Sequence, residues 1–216
     1  MHATHRAVVV GRVGPNGVTM LGTGFFVSSD GKVVTPHHVV GGNDENLKVI
    51  LSPVTDINTY QDLSNTECKV TPAAIVEVDP ARDVAILATD LRFGPPYPFT
   101  PLGSFDHCNV GDQLEVIGYP HCNLGRRALT LQRAEIGAKV IQRTNNVPSK
   151  HGVLNIQARP GQSGSLVQCP QRRLAVGMLI GAWVPNNSGI SLGGINPFEL
   201  HQTTHCISAE HIQRML

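Results

Sequence analysis

Short apolar runs, most of them rich in β-branched residues and closed by Gly, Pro, Asn, Asp or Ser, recur along the whole chain. Residues 7–10, 18–27, 32–35, 47–51, 73–78, 84–88, 114–118, 134–141, 153–158, 165–168, 174–180 and 190–195 fit this description. Runs of this kind bounded by turn formers predict strands, and so many at close spacing predict an all-β barrel or sandwich. Asp30-Gly31, between the second and third runs, predicts a hairpin, because this pair readily adopts the positive φ angles of a tight turn. Helical patterning is confined to a short turn at 36–40 and to the C-terminus. There Ser208 is the N-cap, Glu210 stands in the first turn, and Ile212, Met215 and Leu216 follow. The proline-rich stretch 93–101 predicts a connection between two halves of similar size. The expected organisation is one barrel over about residues 1–100, a second over about 101–207, and a helix over 208–216.

Composition narrows the function classes. A chain of 216 residues with 41% hydrophobic content can bury a core, which excludes disorder. The 22 glycines and 15 prolines suit a turn-rich β fold better than a helical bundle. A formal net charge of +1 gives no electrostatic case for a nucleic-acid or membrane-surface partner. The longest apolar run, 174–184, is about half of the ~20 residues a membrane helix needs. Near the start only residues 7–10 are continuously apolar, against roughly 7–15 in a signal peptide. With no signal peptide visible, the five irregularly spaced cysteines read as free thiols, and a cytoplasmic location is expected.

Three segments carry candidate chemistry. In Thr35-Pro36-His37-His38-Val39-Val40, a histidine at the end of a strand can project into a cleft as a general base. In Arg82-Asp83-Val84-Ala85-Ile86-Leu87, Asp83 stands at the mouth of an apolar strand, where a carboxylate needs a partner such as an imidazole N–H; alternatively it caps a turn. In Gly161-Gln162-Ser163-Gly164-Ser165, glycines flanking a serine permit a bend that points the Gly161 and Ser163 N–H groups at one spot beside the hydroxyl. Taken alone, this last segment is equally an ordinary Gly/Ser turn. It lacks the glycine two residues after the serine that the α/β-hydrolase nucleophile elbow requires, since Ser165 stands there.

In order along the chain, these segments resemble the trypsin-like, chymotrypsin-fold serine proteases, and in particular their HtrA/Deg-type branch. Gly22-Thr23-Gly24-Phe25 is similar to the family's Gly-x-Gly-Phe strand, and Thr35 to Val40 to its Thr-x-Ala-His-Val-Val. Asp83 to Leu87 looks like its Asp-Leu-Ala-Val-Leu, and Gly111 to Pro120 like its Gly-Asp-x-Val-x-x-Ile-Gly-x-Pro strand. Gly161 to Leu166 looks like its Gly-Asn-Ser-Gly-Gly-Pro. The resemblance implies two six-stranded antiparallel β-barrels and peptide-bond hydrolysis by a triad of His38, Asp83 and Ser163. Gly161 and Ser163 are then the oxyanion donors.

Several positions depart from the family pattern. His37 stands where an alanine is usual, and the Val-Val that follows selects His38 as the base. Gln162 replaces the aspartate that secreted digestive relatives pair with a new N-terminus, which argues against that form of zymogen activation. The resemblance puts Gln157, Ile180, Gly181, Ala182 and Gly193 around the substrate pocket; none is acidic, so a small or medium neutral P1 residue is expected.

No cofactor or metal is expected, although His107-Cys108, His121-Cys122, His205-Cys206 and the pair His201 and His205 contain zinc-ligand residue types. The expected partner is a protein or peptide substrate, with a regulatory domain or partner outside this chain. The alternative function is a catalytically silent protease-fold binding module.

Overall fold

The computed structural model describes residues 6–15, 17–95, 99–183 and 203–216. Its strands close into two six-stranded antiparallel barrels, the architecture expected from the sequence. The first barrel is built from β1 (Ala7–Gly14), β2 (Gly17–Phe26), β3 (Val33–Thr35), β4 (Leu47–Ile50), β5 (Val70–Asp79) and β6 (Val84–Thr89), in the order β1-β2-β3-β6-β5-β4. The second uses β7 (Gln113–Gly118), β8 (Thr130–Thr144), β9 (Val147–Leu154), β10 (Leu166–Cys169), β11 (Leu174–Trp183) and β12 (Thr203–Ser208), in the order β10-β11-β12-β9-β8-β7.

The period of two along each strand distributes side chains between distinct cores. On β1, Val8 and Val10 join Phe26, Val33, Leu47, Val49 and Leu87 in a cluster confined to the first barrel. Their neighbours Ala7 and Val9 join a second cluster that includes Ile117, Leu166 and Met178 from the other barrel. β1 is therefore buried on both faces, which explains its continuous apolar run. Phe105, Leu114, Ile136, Leu154, Val176 and Leu179 fill the second barrel.

The helices are short. α1 (His37–Val40) is one turn, and α2 (Ala209–Gln213) packs Ala209 and Ile212 into the shared cluster. Ser208 occupies the N-cap position of α2, but its side chain makes no capping bond there. Its hydroxyl instead accepts the Phe105 N–H at 3.2 Å and donates to Ser104 Oγ at 3.3 Å, tying the helix start to the second barrel's entry turn.

Two strand assignments change. The run read at 153–158 is a strand over Val147–Leu154, and the chain leaves the sheet afterwards. Thr203–Ser208 forms β12 although four of its six residues are polar, because Thr204 and Cys206 face inward. The run read at 190–195 lies outside the described residues.

Candidate active site

The His38–Asp83 half of the candidate site is local to the first barrel. β3 leads into α1, and β6 starts directly after Asp83. The antiparallel pairing of Thr35 with Ala85 brings α1 and Asp83 to the same end of the sheet. Asp83 has φ 56°, a left-handed conformation that aspartate tolerates because its short side chain bonds locally. The carboxylate lies over α1: Oδ1 accepts the His38 backbone N–H at 2.8 Å, and Oδ2 lies 2.6 Å from His38 Nδ1. The Asp83 carbonyl accepts the His37 N–H at 3.2 Å. A carboxylate at Nδ1 favours the tautomer that carries its proton there, leaving Nε2 free to accept one. The His38 side chain is 50% exposed, so its ring is open to an incoming group. The His37 ring lies instead toward Gly42.

The Ser163 half lies on the loop between β9 and β10, and across its turn at 159–165 the backbone donors are almost fully accounted for. Pro160 O accepts from His121 N, Arg159 O from Gln162 N, and Gln162 O from Ser165 N. Gly161 O accepts the Thr23 hydroxyl at 2.9 Å, and Ser163 O accepts the Thr23 N–H at 2.9 Å. Gly164 N donates to Leu179 O at 2.7 Å, and Leu179 N to Ser165 O at 2.9 Å. Within 159–165 two donors remain: neither the Gly161 nor the Ser163 N–H has an acceptor among the described residues. Backbone donors seldom lack partners away from bulk water, so two of them flanking one peptide make a ready anion site. Gly161 has φ +84°, and a Cβ there would stand 2.7 Å from Cys122 N, so glycine is required on both counts.

Gln162 is 1% exposed and uses both ends of its amide. Its Oε1 accepts the Arg159 N–H at 2.8 Å, and its Nε2 donates to Gln132 Oε1 at 2.6 Å. The loop is thus held by a neutral clasp. Ser165 is fully buried, and its Oγ stands against Gly118 with no hydrogen-bond partner.

The Ser163 hydroxyl donates to the Ile180 carbonyl at 2.8 Å and makes no bond to His38. Ile180 and Gly181 are half-buried on β11, and Ala182 is exposed. Gln157 is exposed on the segment after β9, in contrast to a buried pocket floor. Gly193 lies outside the described residues. Sequence reasoning did not single out the partners that hold the loop: Thr23, the His121 N–H, Gln132 and the carbonyl of Ile180.

Among the described residues no group of three or more His, Cys, Asp or Glu side chains is placed to hold a metal ion. His201 lies outside them. All five cysteines are free, and four are buried. Burial pushes the Cys122 thiol up to about 12, which removes it from thiolate chemistry. Among the described residues no helix is long and apolar enough to cross a membrane.

A family model of the trypsin-like peptidase domain matches residues 22–178, and the chain belongs to that family. The relatives it resembles include DegP-like and HtrA-type proteases. A DegP-like probable periplasmic serine endoprotease of Rickettsia conorii is 27% identical over 172 residues, 79% of this chain and 30% of that protein. The Rv3671c protease of Mycobacterium tuberculosis in its active form superposes with a TM-score of 0.68 at 22% identity, covering 99% of this chain and 80% of that one. The HtrA-type protease AlgW, solved with a decapeptide, gives 0.67 at 18% identity, covering 97% of this chain and 62% of that one. The chain spans between 17% and 30% of the length of such curated relatives.

The curated relatives overturn the expected cytoplasmic, intracellular location, because they are named as probable periplasmic serine endoproteases. That expectation rested on free cysteines and on the apolar pattern near residue 1. Buried thiols escape oxidation by inaccessibility in any compartment, and a match over less than a third of a relative's length carries no information about an address signal.

Proposed function

We propose that this chain is a serine endopeptidase domain in which Ser163 is the nucleophile, His38 the general base and acid, and Asp83 the group that orients His38. Ser163 Oγ attacks the scissile carbonyl while its proton passes to His38 Nε2, and Asp83 stabilises the resulting imidazolium. The Gly161 and Ser163 N–H groups bind the oxygen that becomes negative, and His38 then hands the proton to the departing amine. The observation that carries the proposal is the pair of unpartnered amides flanking Gln162 in a turn, 159–165, whose other backbone donors are all hydrogen-bonded.

The Ser163–Ile180 bond describes the resting site. Catalytic hydrogen bonds are often misaligned before substrate arrives, and a substrate backbone N–H competing for the Ile180 carbonyl would release the hydroxyl toward His38. The proposed substrates are extended protein or peptide segments with a small or medium neutral P1 residue, and the proposed location is the periplasm, as in the relatives. Control by a partner or domain outside this chain is compatible with the resting arrangement.

A fluorophosphonate probe and peptide-library cleavage, run on wild type beside Ser163→Ala, test the reading. Wild type is expected to be labelled and to cleave, and the variant to lose labelling and at least ~10⁴-fold in kcat. Cleavage retained in Ser163→Ala would sink the mechanism. A wild type that neither labels nor cleaves favours the silent binding module.

A further inference from the structure

We infer that Thr23 is a positioning residue for the proposed reaction: its buried hydroxyl and backbone hold the nucleophile loop in register with the barrel that carries His38. The inference deepens the reading above and rests on it. Thr23 is 0% exposed on β2, a strand of the first barrel, yet most of its polar bonds reach elsewhere. Its hydroxyl donates to Gly161 O at 2.9 Å and accepts the Tyr119 N–H at 3.1 Å. Its N–H donates to Ser163 O at 2.9 Å. Its carbonyl accepts the Thr35 hydroxyl at 2.8 Å, three residues before His38.

One residue therefore touches the loop on both sides of Gln162 and the strand that leads to the histidine. A position that only packed would be served by valine, which has nearly the same shape and buries no hydroxyl. The hydroxyl here both donates and accepts. Removing it orphans Tyr119 N and leaves Gly161 O only the weak Cys122 thiol donor at 3.5 Å.

The geometry links these bonds to chemistry. Gly161 O belongs to the peptide between the two unpartnered amides, so its anchor sets the tilt of the plane they flank. The loop also lies hard against β2: a Cβ on Gly164 would stand 1.8 Å from Thr23 O. Oxyanion donors act only when aimed at the developing charge, and a displacement of about 1 Å costs on the order of 10²-fold. A shift of this loop changes transition-state stabilisation more than ground-state binding, so the defect falls on kcat.

The test compares Thr23→Val and Thr23→Ser with a matched control, Thr89→Val. Thr89 is also buried, and its hydroxyl donates to Gly31 O at 2.8 Å and accepts the Leu91 N–H at 3.3 Å, remote from the loop. Folding is checked by circular dichroism and thermal melts, and kcat and KM are measured on one peptide substrate, with Ser163→Ala as the blank. Thr23→Val is expected to lower kcat about 10- to 10²-fold with KM moving less than about threefold. Thr23→Ser, which keeps both hydroxyl bonds, is expected to stay within about threefold of wild type. Thr89→Val is expected to lose thermal stability comparably and keep its kcat.

A folded Thr23→Val with kcat within threefold of wild type overturns the assignment. So does a Thr89→Val that loses as much kcat as Thr23→Val. Should Thr23→Val fail to fold, Thr23→Ser decides: a folded serine variant that has lost tenfold or more overturns the inference, and one near wild type supports it. Turnover in wild type that survives Ser163→Ala is a different failure, of the mechanism itself, and the inference falls with it.

Discussion

The two halves of the candidate site are held in different ways. The His38–Asp83 pair is made within the first barrel by segments that β3 and β6 already bring together, and it is complete, with carboxylate contacts at 2.6 and 2.8 Å. The Ser163 loop is held from both barrels: by Thr23 from β2, by His121 and Gln132 from the second barrel, and by Leu179 on β11. Its hydroxyl points to Ile180 and not to the histidine. The His38–Asp83 pair is thus a local product of one sheet, whereas the Ser163 loop reports how the two barrels are aligned. A disturbance of that alignment reaches the loop first.

Asp83→Asn strikes the finished half and has the largest expected effect. The amide can present an N–H to Nδ1 and stabilise the wrong tautomer, so kcat is expected to fall about 10⁴-fold with little change in the thermal melt. Steady-state kinetics beside calorimetry checks this. A loss below tenfold would mean that the pair is not the acid–base machinery.

The next experiment strikes the other half. Gly164 has φ +93°, and its Cβ would collide with Thr23 O; Gly125 has φ +89° and open space around it. Gly125→Ala incurs only the backbone conformational cost, about 1 kcal/mol. Gly164→Ala adds the collision and is expected to cost at least about 3 kcal/mol, read from urea denaturation. Equal costs would show that the loop does not press on the first barrel.

Acid separates the halves more gently. His151 is 5% exposed on β9, and burial, then His205 on β12 and His211 on α2, push it down to about 4. Ser149 Oγ lies 2.9 Å from its Nε2. The unfolded chain takes up this proton near pH 6.5, so stability is flat above that value and falls as pH drops toward about 4. The full loss is on the order of 3 kcal/mol. These histidines belong to the second barrel and its helix, so that barrel is expected to loosen first. Urea melts at pH 7 and pH 5 should differ by on the order of 2 kcal/mol in wild type and by clearly less in His151→Gln. An equal difference in both would remove His151 as the cause.

Most of the barrels could be read from short β-branched runs and turn residues, because strand alternation leaves its mark within a few positions. β12 escaped notice because Thr203–Ser208 reads Thr-Thr-His-Cys-Ile-Ser, with a single β-branched apolar residue, and only burial inside a closed barrel makes it a strand. β9 was misplaced because Ile156 and Ala158 look strand-like, while the chain leaves the sheet at Asn155, which fits against Gly137. The candidate triad residues stand in recognisable local contexts. The supports of the loop do not: Thr23 and Gly161 are 138 positions apart, and Gln132 and Gln162 are 30 apart. The direction of the Ser163 hydroxyl likewise depends on Ile180, which only the fold brings near.

Closure of both sheets bears on how such a molecule survives its own kind. A peptidase cuts chain that can be drawn out straight, and hydrogen-bonded rings without a free edge resist being drawn out. Residues 51–69, between β4 and β5, form neither strand nor helix, and Tyr60 at their crest is fully exposed. Gln61 pins this segment to Leu129 through two bonds of 2.8 Å, and Arg127 grips the carbonyls of Asn65 and Glu67. With Val54 sunk in the shared core and Leu51 bonded to Lys69 O, these ties hold this long irregular segment of the first barrel against the extended form that a peptidase would need.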